Sequence, residues 1–255
     1  MILRAESITF AYDRSAPTLR GVTVELRPGV VTGLFGPNGG GKSTLLRCMN
    51  GALRPQSGRV CLDGRPIRDM PPREVARHVA VVPQDSSSAV PFTAGEVVLL
   101  GRYAHGGLWG GESDEDRRIA AAALAEVGAS HLADRRFDQL SGGERRRVVI
   151  ARALAQQGRV FLLDEPATHL DVAHQLELYR LTRTWARRGQ AILIIAHDIL
   201  VAPMFVDHAV LLNEGTVVAE GRPGDVLTAD AIAAVFGCRM DVSWHDRSGV
   251  RAEFH

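Results

Sequence analysis

Three stretches of the chain are apolar without a break: Val79-Ala80-Val81-Val82, Val160-Phe161-Leu162-Leu163 and Ala191-Ile192-Leu193-Ile194-Ile195. Each is short and bounded by polar residues, which predicts parallel strands covered on both faces. Nearer the start the pattern changes. Ile8 to Tyr12 and Val22-Thr23-Val24-Glu25-Leu26 alternate in polarity and are separated by turn residues, predicting an antiparallel β layer. Ile119 to Val127 and Arg145 to Ala155 read as helices, whereas Tyr103 to Asp114 is a Gly-rich, polar loop. Together they predict a helical insert over residues 86–155 of an α/β core. Ala209-Val210-Leu211-Leu212 and Thr216-Val217-Val218-Ala219 flank the turn Asn213-Glu214-Gly215, a hairpin signal. Asp225 to Phe236 predicts a short helical tail with a strand-like remnant behind it.

A further strand, Val30-Val31-Thr32-Gly33-Leu34-Phe35, runs into Gly36-Pro37-Asn38-Gly39-Gly40-Gly41-Lys42-Ser43-Thr44, after which Leu45-Leu46-Arg47-Cys48-Met49 continues as helix. The segment fills the pattern G-x-x-x-x-G-K-[ST] in the strand–loop–helix setting that such a phosphate loop requires. Its glycines let successive N–H groups turn inward, Lys42 carries a mobile positive charge to the β- and γ-phosphates, and Ser43 offers a hydroxyl to Mg²⁺. The helix dipole behind it favours an anion. A Gly-rich turn without ligand is the alternative, and the strand before and helix after weigh against it.

Asp164 and Glu165 close the Val160–Leu163 run at the strand edge where open α/β sheets bind ligands. One carboxylate there can hold Mg²⁺ through water and the next can polarise an attacking water, although a surface acidic pair at a strand end is common. His197 follows the Ile192–Ile195 run and reaches the same edge, where it can face a γ-phosphate; a lone histidine there is more often structural. Gln84, closing the Val79–Val82 run, can coordinate Mg²⁺ or a water, or be an ordinary loop amide. Tyr12 can stack on an adenine, or be core. Leu140-Ser141-Gly142-Gly143-Glu144 carries a capping box in Ser141 and Glu144. That does not account for two consecutive glycines, which cost helix stability and leave first-turn amides bare for an anion.

Composition narrows the class. The chain has 255 residues, 45% of them hydrophobic, enough for a packed core, and a formal net charge of +1 that gives no field arguing for nucleic acid. Cys48, Cys61 and Cys238 are scattered, so neither a disulfide framework nor a zinc site is expected, and a reducing cytosol fits. No run of about 18 uncharged apolar residues occurs, so neither a spanning helix nor a secretion signal is expected.

Taken in order, these motifs resemble the nucleotide-binding subunit of an ATP-binding cassette transporter over nearly the whole chain. The resemblance implies a P-loop NTPase, RecA-like core at about 1–85 and 156–225, with an N-terminal antiparallel β layer, a helical subdomain at about 86–155 and a C-terminal extension at 226–255. It implies ATP and Mg²⁺ as ligands, Gln84 as the glutamine loop, Leu140–Glu144 as the signature, Asp164 as the magnesium-strand carboxylate and Glu165 as catalytic base. Thr168-His169-Leu170-Asp171 matches the D-loop, His197 the switch histidine and Tyr12 the adenine-stacking aromatic. Such subunits work as head-to-tail dimers, each ATP held between the phosphate loop of one chain and Ser141–Glu144 of the other. Two ATPs close the dimer and hydrolysis opens it.

Val82-Pro83-Gln84, Pro91-Phe92-Thr93 and Val97 to His105 are similar to the ATPases of importers for vitamin B12, ferric siderophores and haem, and Gln84-Asp85-Ser86-Ser87-Ser88 to the haem group. That implies two membrane-spanning permease subunits, a periplasmic substrate-binding protein acting indirectly, and a place on the cytoplasmic face of a bacterial inner membrane. Gly40 stands where alanine, serine or cysteine is commoner, and Ala167 replaces a frequent threonine. A soluble cassette clamping DNA or ribosomes usually has paired cassettes or a long coiled coil; here about 97 residues without heptads separate Thr44 from Ser141. An exporter or lipid-moving cassette is the remaining alternative, and the Pro91–His105 stretch speaks against it.

Overall fold

The alternation within each apolar run sends its side chains to two different cores. In the computed structural model Val160 and Leu162 of strand β7 (Val160–Asp164) pack on one side of a sheet and Phe161 and Leu163 on the other. The same split divides β8 (Ala191–Ile195) and β3 (Val31–Phe35), as expected of strands with no wet face. The structure describes all residues except 14–15, 85–90, 107–111, 169, 239, 246–248 and 255, and describes the backbone alone beyond 239.

The central sheet is ordered β10 (Thr216–Gly221), β9 (His208–Asn213), β3, β8, β7, β6 (Val79–Val82). From β9 to β6 all pairs are parallel, and β10 folds back antiparallel on β9 through the expected hairpin. One face is covered by the antiparallel layer β2 (Leu19–Leu26), β1 (Leu3–Phe10), β4 (Ser57–Leu62), β5 (Arg65–Pro66) and by α1 (Lys42–Met49), which share a core with Leu34, Leu162, Leu193 and Val210. The other is covered by α6 (Val172–Arg187) and the helical insert, with Trp185 stacked on Phe161. Helix α2 (Pro72–His78) leads into β6.

The insert is α3 (Ala94–Leu99), α4 (Asp114–Glu126) and α5 (Gly142–Ala155), and each helix opens on its own capping box: Thr93 with Glu96, Ser113 with Asp116, Ser141 with Glu144. Asp116 also takes the Arg102 guanidinium at 2.8 Å, which holds its carboxyl down at about 2. Arg102 reaches on to the Ala155 carbonyl at 2.9 Å, so the connection after α3 is tied to the end of α5. Past the sheet come α7 (Pro223–Val226), α8 (Ala229–Phe236) and a hairpin of β11 (Met240–His245) and β12 (Gly249–Phe254), which resolves the tail expected at 225–236 into two helices and its remnant into paired strands. Asp85 to Ser88, His169 and residues 107–111 of the Gly-rich loop lie outside the described residues.

Candidate active site at the carboxyl edge of the sheet

Strand β3 ends against β9 so closely that its next residue must be glycine: Gly36 has φ +144, and a Cβ there would sit 1.9 Å from the Leu212 carbonyl oxygen. The loop then wraps to Gly41, the N-cap of α1 at φ +100. No acidic residue occupies the first turn of α1, which leaves the positive end of its dipole uncompensated. Lys42 is 5% exposed and folds back to donate to the Gly36 and Pro37 carbonyls at 2.9 and 2.8 Å. Burial lowers its pKa against the pull of Glu165 and Asp164. Asn38 and Gly39 are exposed at the loop tip.

Adjacent strand ends complete the cluster. Ser43 donates its hydroxyl to Asp164 Oδ1 at 3.1 Å, joining the loop to the end of β7. Asp164 is 4% exposed; burial raises its pKa, Glu165 adding to the effect while Ser43, Arg47 and Arg146 oppose it. Glu165, 8% exposed, receives Gln84 Nε2 on Oε2 at 2.8 Å, the Thr168 hydroxyl on the same oxygen at 3.4 Å, and His197 Nε2 against Oε1 at 2.5 Å. Its φ of +47 is in the left-handed region, a cost of about 1–2 kcal/mol for a residue with a Cβ. Strain in a buried carboxylate with three side-chain partners is the kind found where geometry serves chemistry. Tyr12, just beyond β1, is 59% exposed, sits edge-on to Phe10 and exchanges a 3.2 Å hydrogen bond with the Thr44 hydroxyl, so its ring stands free beside the loop.

The signature residues lie elsewhere. Ser141, Gly143 and Glu144 line a groove of about 270 Å³ with Arg146, Leu170, Asp171 and His174, and no phosphate-loop residue lines it. The capping box is fully made: Ser141 N and Oγ both donate to Glu144 Oε2 at 2.8 Å, and Glu144 N returns to Ser141 Oγ at 3.3 Å. Neither glycine is needed for the turn itself, since neither has positive φ. A Cβ on Gly142 would touch nothing and one on Gly143 would meet only Leu170 at 3.6 Å. Asp171 is the N-cap of α6, accepting from His174 N at 2.9 Å.

The sequence profile of the ABC transporter family matches residues 19–168, more than half the chain. This chain belongs to that family. It is 44% identical to the hemin import ATP-binding protein HmuV of Pseudomonas entomophila (strain L48) over 240 residues, 92% of each chain. It is 38% identical to the ferric enterobactin transport ATP-binding protein FepC of Escherichia coli (strain K12), over 93% of this chain and 88% of that one. Among solved structures it resembles a metal-chelate type ABC transporter in an inward-facing conformation, with TM-score 0.84 and 28% identity over 99% of this chain and 96% of that one. A dimeric ATP-binding cassette bound to ADP and Pi matches with TM-score 0.77 and 28% identity, over 87% of this chain and 98% of that one.

The membership gives the α/β cassette fold and the ATPase activity expected from the motifs. Two further residues contribute to the site. Thr168, which the resemblance places in the D-loop, also reaches Glu165 with its hydroxyl. Arg146 stands in the charged run Arg145-Arg146-Arg147 but is 4% exposed, with the buried Val149, Ile150 and Ala153 at i+3, i+4 and i+7; Arg147 has apolar Ile150, Ala151 and Leu154 at the same spacing, so the period narrows the inward arginine to two positions.

Ser43 and Asp164 supply the hydroxyl and carboxylate oxygens that suit a hard cation sharing its shell with phosphate and water, so the residues present fit Mg²⁺. Among the described residues no cluster of three or more His, Cys, Asp or Glu forms a full protein cage. Because the Asp164 pKa is raised, the folded chain holds that proton more tightly than the unfolded one, and the group's contribution to stability falls as pH rises through the window above its ordinary value. Asp164→Asn therefore raises the thermal midpoint of the nucleotide-free protein at pH 7 and flattens its fall above the ordinary carboxylate range, while Mg²⁺-dependent ATPase activity is lost; an unchanged or lower midpoint contradicts the desolvated-carboxylate account.

Proposed function

We propose that this chain is the ATP-hydrolysing, energy-coupling subunit of a bacterial importer whose cargo is haem. The observation that carries the site assignment is the convergence of Gln84, Thr168 and His197 on the buried Glu165 carboxylate, one residue beyond an Asp164 already bonded to the phosphate loop. Lys42 exchanges the Gly36 and Pro37 carbonyls for β- and γ-phosphate oxygens, the loop amides cradle the rest, and Tyr12 stacks on the adenine. Ser43 and Asp164, with Gln84 at the margin, hold Mg²⁺, which when bound neutralises charge on the phosphates. Glu165 takes the proton of the attacking water, and His197, whose ring nitrogen is against Oε1, orients that carboxylate and faces the γ-phosphate.

Ser141, Gly142, Gly143 and Glu144 serve the ATP of a second copy. Their glycines are unneeded by the fold of one chain, and bare first-turn amides beside a dipole are what an incoming phosphate uses. Asp171, in the same groove, meets the partner across the two-fold axis. A head-to-tail dimer with ATP at both seams follows, and its closure is driven by contacts ATP makes only in the closed state. A second groove, about 680 Å³, follows the seam between core and insert and is lined by Met70, Val75, Val81, Leu100 and Gln156. Leu100 is 51% exposed there, and we assign this groove to the permease subunit. Among the described residues no helix is long and apolar enough to cross a membrane, in keeping with a peripheral place on the cytoplasmic face of the inner membrane. A periplasmic binding protein acts through the permease.

Haem rests on the relatives named for hemin import, at 40–44% identity. The ferric enterobactin relative favours a second reading, the same role for a ferric siderophore, with vitamin B12 as the third member of that group. In a strain lacking this chain, growth on haem as sole iron source is lost, and the parent gene restores it whereas Lys42→Ala does not. Unimpaired haem growth with loss of ferric siderophore use selects the second reading.

Glu165→Gln keeps ATP affinity, loses turnover by about 100-fold or more and accumulates an ATP-bound dimer on size-exclusion chromatography; hydrolysis at the parent rate overturns the base assignment. Ser141→Arg stops hydrolysis while the isolated chain binds ATP as before. A large loss of monomer affinity contradicts completion of the site by a second copy.

A further inference from the structure

Arg146 sits in the second turn of α5 with its side chain directed into the protein, and its three guanidinium nitrogens are spent entirely on main-chain carbonyls. Nη1 donates to Pro83 O at 2.5 Å and Gln84 O at 3.3 Å, Nη2 to Asp164 O at 2.9 Å and Glu165 O at 2.7 Å, and Nε to Pro166 O at 2.9 Å. These five carbonyls belong to two segments only: the exit of β6, which carries the Gln84 side chain, and the exit of β7, which carries Asp164 and Glu165. The β6–β7 register ends at Val82 opposite Leu163, so that pairing no longer joins the two segments, and on the β7 side only Asp164 remains in register, with Ile195 of β8.

We propose that Arg146 is a positioning residue for ATP hydrolysis, whose guanidinium fixes the backbone of Gln84 and Glu165 so that the Glu165 carboxylate and the Gln84 amide are held in reacting register. The role rests on the assignment of Glu165 as the base. It explains how a non-glycine residue is kept at φ +47: the carbonyls before, at and after that peptide turn are all bonded to one rigid, planar donor. A lysine cannot do the same, because one ammonium offers three donors from a single point and five carbonyls are spread around the fork. A surface charge would not be placed here either: burial holds the guanidinium down at about 10, so the site retains the cation against its desolvation for the sake of those bonds.

The helix adds a direction to the coupling. α5 begins with the Ser141 cap, the exposed Gly142 and the half-buried Gly143, and reaches Arg146 five residues after the cap as one continuous helix. A displacement of its first turn is therefore delivered to the carbonyls of Gln84 and Glu165.

The test separates positioning from folding and from nucleotide binding. In Arg146→Met the length and apolar stem remain and every donor is lost; kcat for ATP falls about tenfold or more while KM and the affinity for Mg-ATP stay within about twofold, the signature of an interaction needed for the chemical step alone. Arg146→Lys gives an intermediate kcat with the same KM. Should Arg146→Met be insoluble, Arg146→Lys decides on the same split. Parent-like kcat in the soluble variant overturns the proposal, as does a fall in kcat matched by a fall in affinity and in thermal midpoint, which is what a merely structural arginine would give. Glu165→Gln in the same assay keeps the two readings apart. If it turns over at the parent rate the base assignment fails and this role with it; if it is inactive and Arg146→Met is parent-like, only the role of Arg146 fails.

Discussion

Because both faces of the central sheet are sealed, chemistry is confined to its edge. The alternating side chains of β3, β7 and β8 are all buried, feeding one core below the antiparallel layer and another below α6 and the insert. A parallel sheet in that position has no wet face on which to display a polar group, and buried polar groups cost free energy unless paired. The carboxyl ends of the strands are where the chain leaves the ladder, and there Gly36, Asp164 and the Glu165-to-His197 cluster come together. The site follows from the burial pattern, strand by strand.

An edge half out of the ladder brings its own difficulty, since the carbonyls of the departing strands lose their partners. At β6 and β7 five carbonyls lie at the strand exits that carry Gln84, Asp164 and Glu165, and that of Glu165 also accepts from Thr168 N at 3.3 Å. Arg146 answers both needs at once: it satisfies the carbonyls and offsets the negative charge of Asp164 and Glu165 without forming an ion pair that would neutralise either. Lys42 does the corresponding work at the phosphate loop, where its ammonium is bonded to carbonyls alone. Neither Lys42 nor Arg146 therefore takes up a carboxylate oxygen, and those of Asp164 and Glu165 are bonded instead to Ser43, Gln84, Thr168 and His197.

How much of this could be read from the sequence depended on range. The strands of the core were legible because apolar runs bounded by polar residues have one economical solution, and the phosphate loop because glycine, lysine and hydroxyl fall at fixed offsets from a strand and a helix. Asp164, Glu165 and His197 could be placed at one edge from their position at the ends of such runs. Their mutual hydrogen bonds could not, since Gln84, Glu165 and His197 are brought together by strand order, which no local pattern encodes. Arg146 is the instructive case. Three consecutive arginines look like a solvated face, and the 3.6-residue period of the helix turns Arg146 and Arg147 towards the apolar side without deciding which of them is buried; the structure buries Arg146. The separation of Ser141 from the phosphate loop within one chain was legible for a different reason: two glycines cost a helix stability that nothing local repays.

That last point bears on what the helix α5 is for. Its first turn carries the exposed Gly142 and the half-buried Gly143 beside the groove, and its second turn sends the Arg146 guanidinium to the main chain at Glu165. A continuous α-helix of 14 residues does not bend easily within its first two turns, so the contacts of the two turns cannot be made independently. If the first turn meets a phosphate held by a second copy, the energy of that contact is felt at Glu165 in the first. Each chain would then read the nucleotide of its partner with the same element that sets its own hydrolytic geometry, and two half-sites would act as one through a lever formed by a single turn and a half of helix.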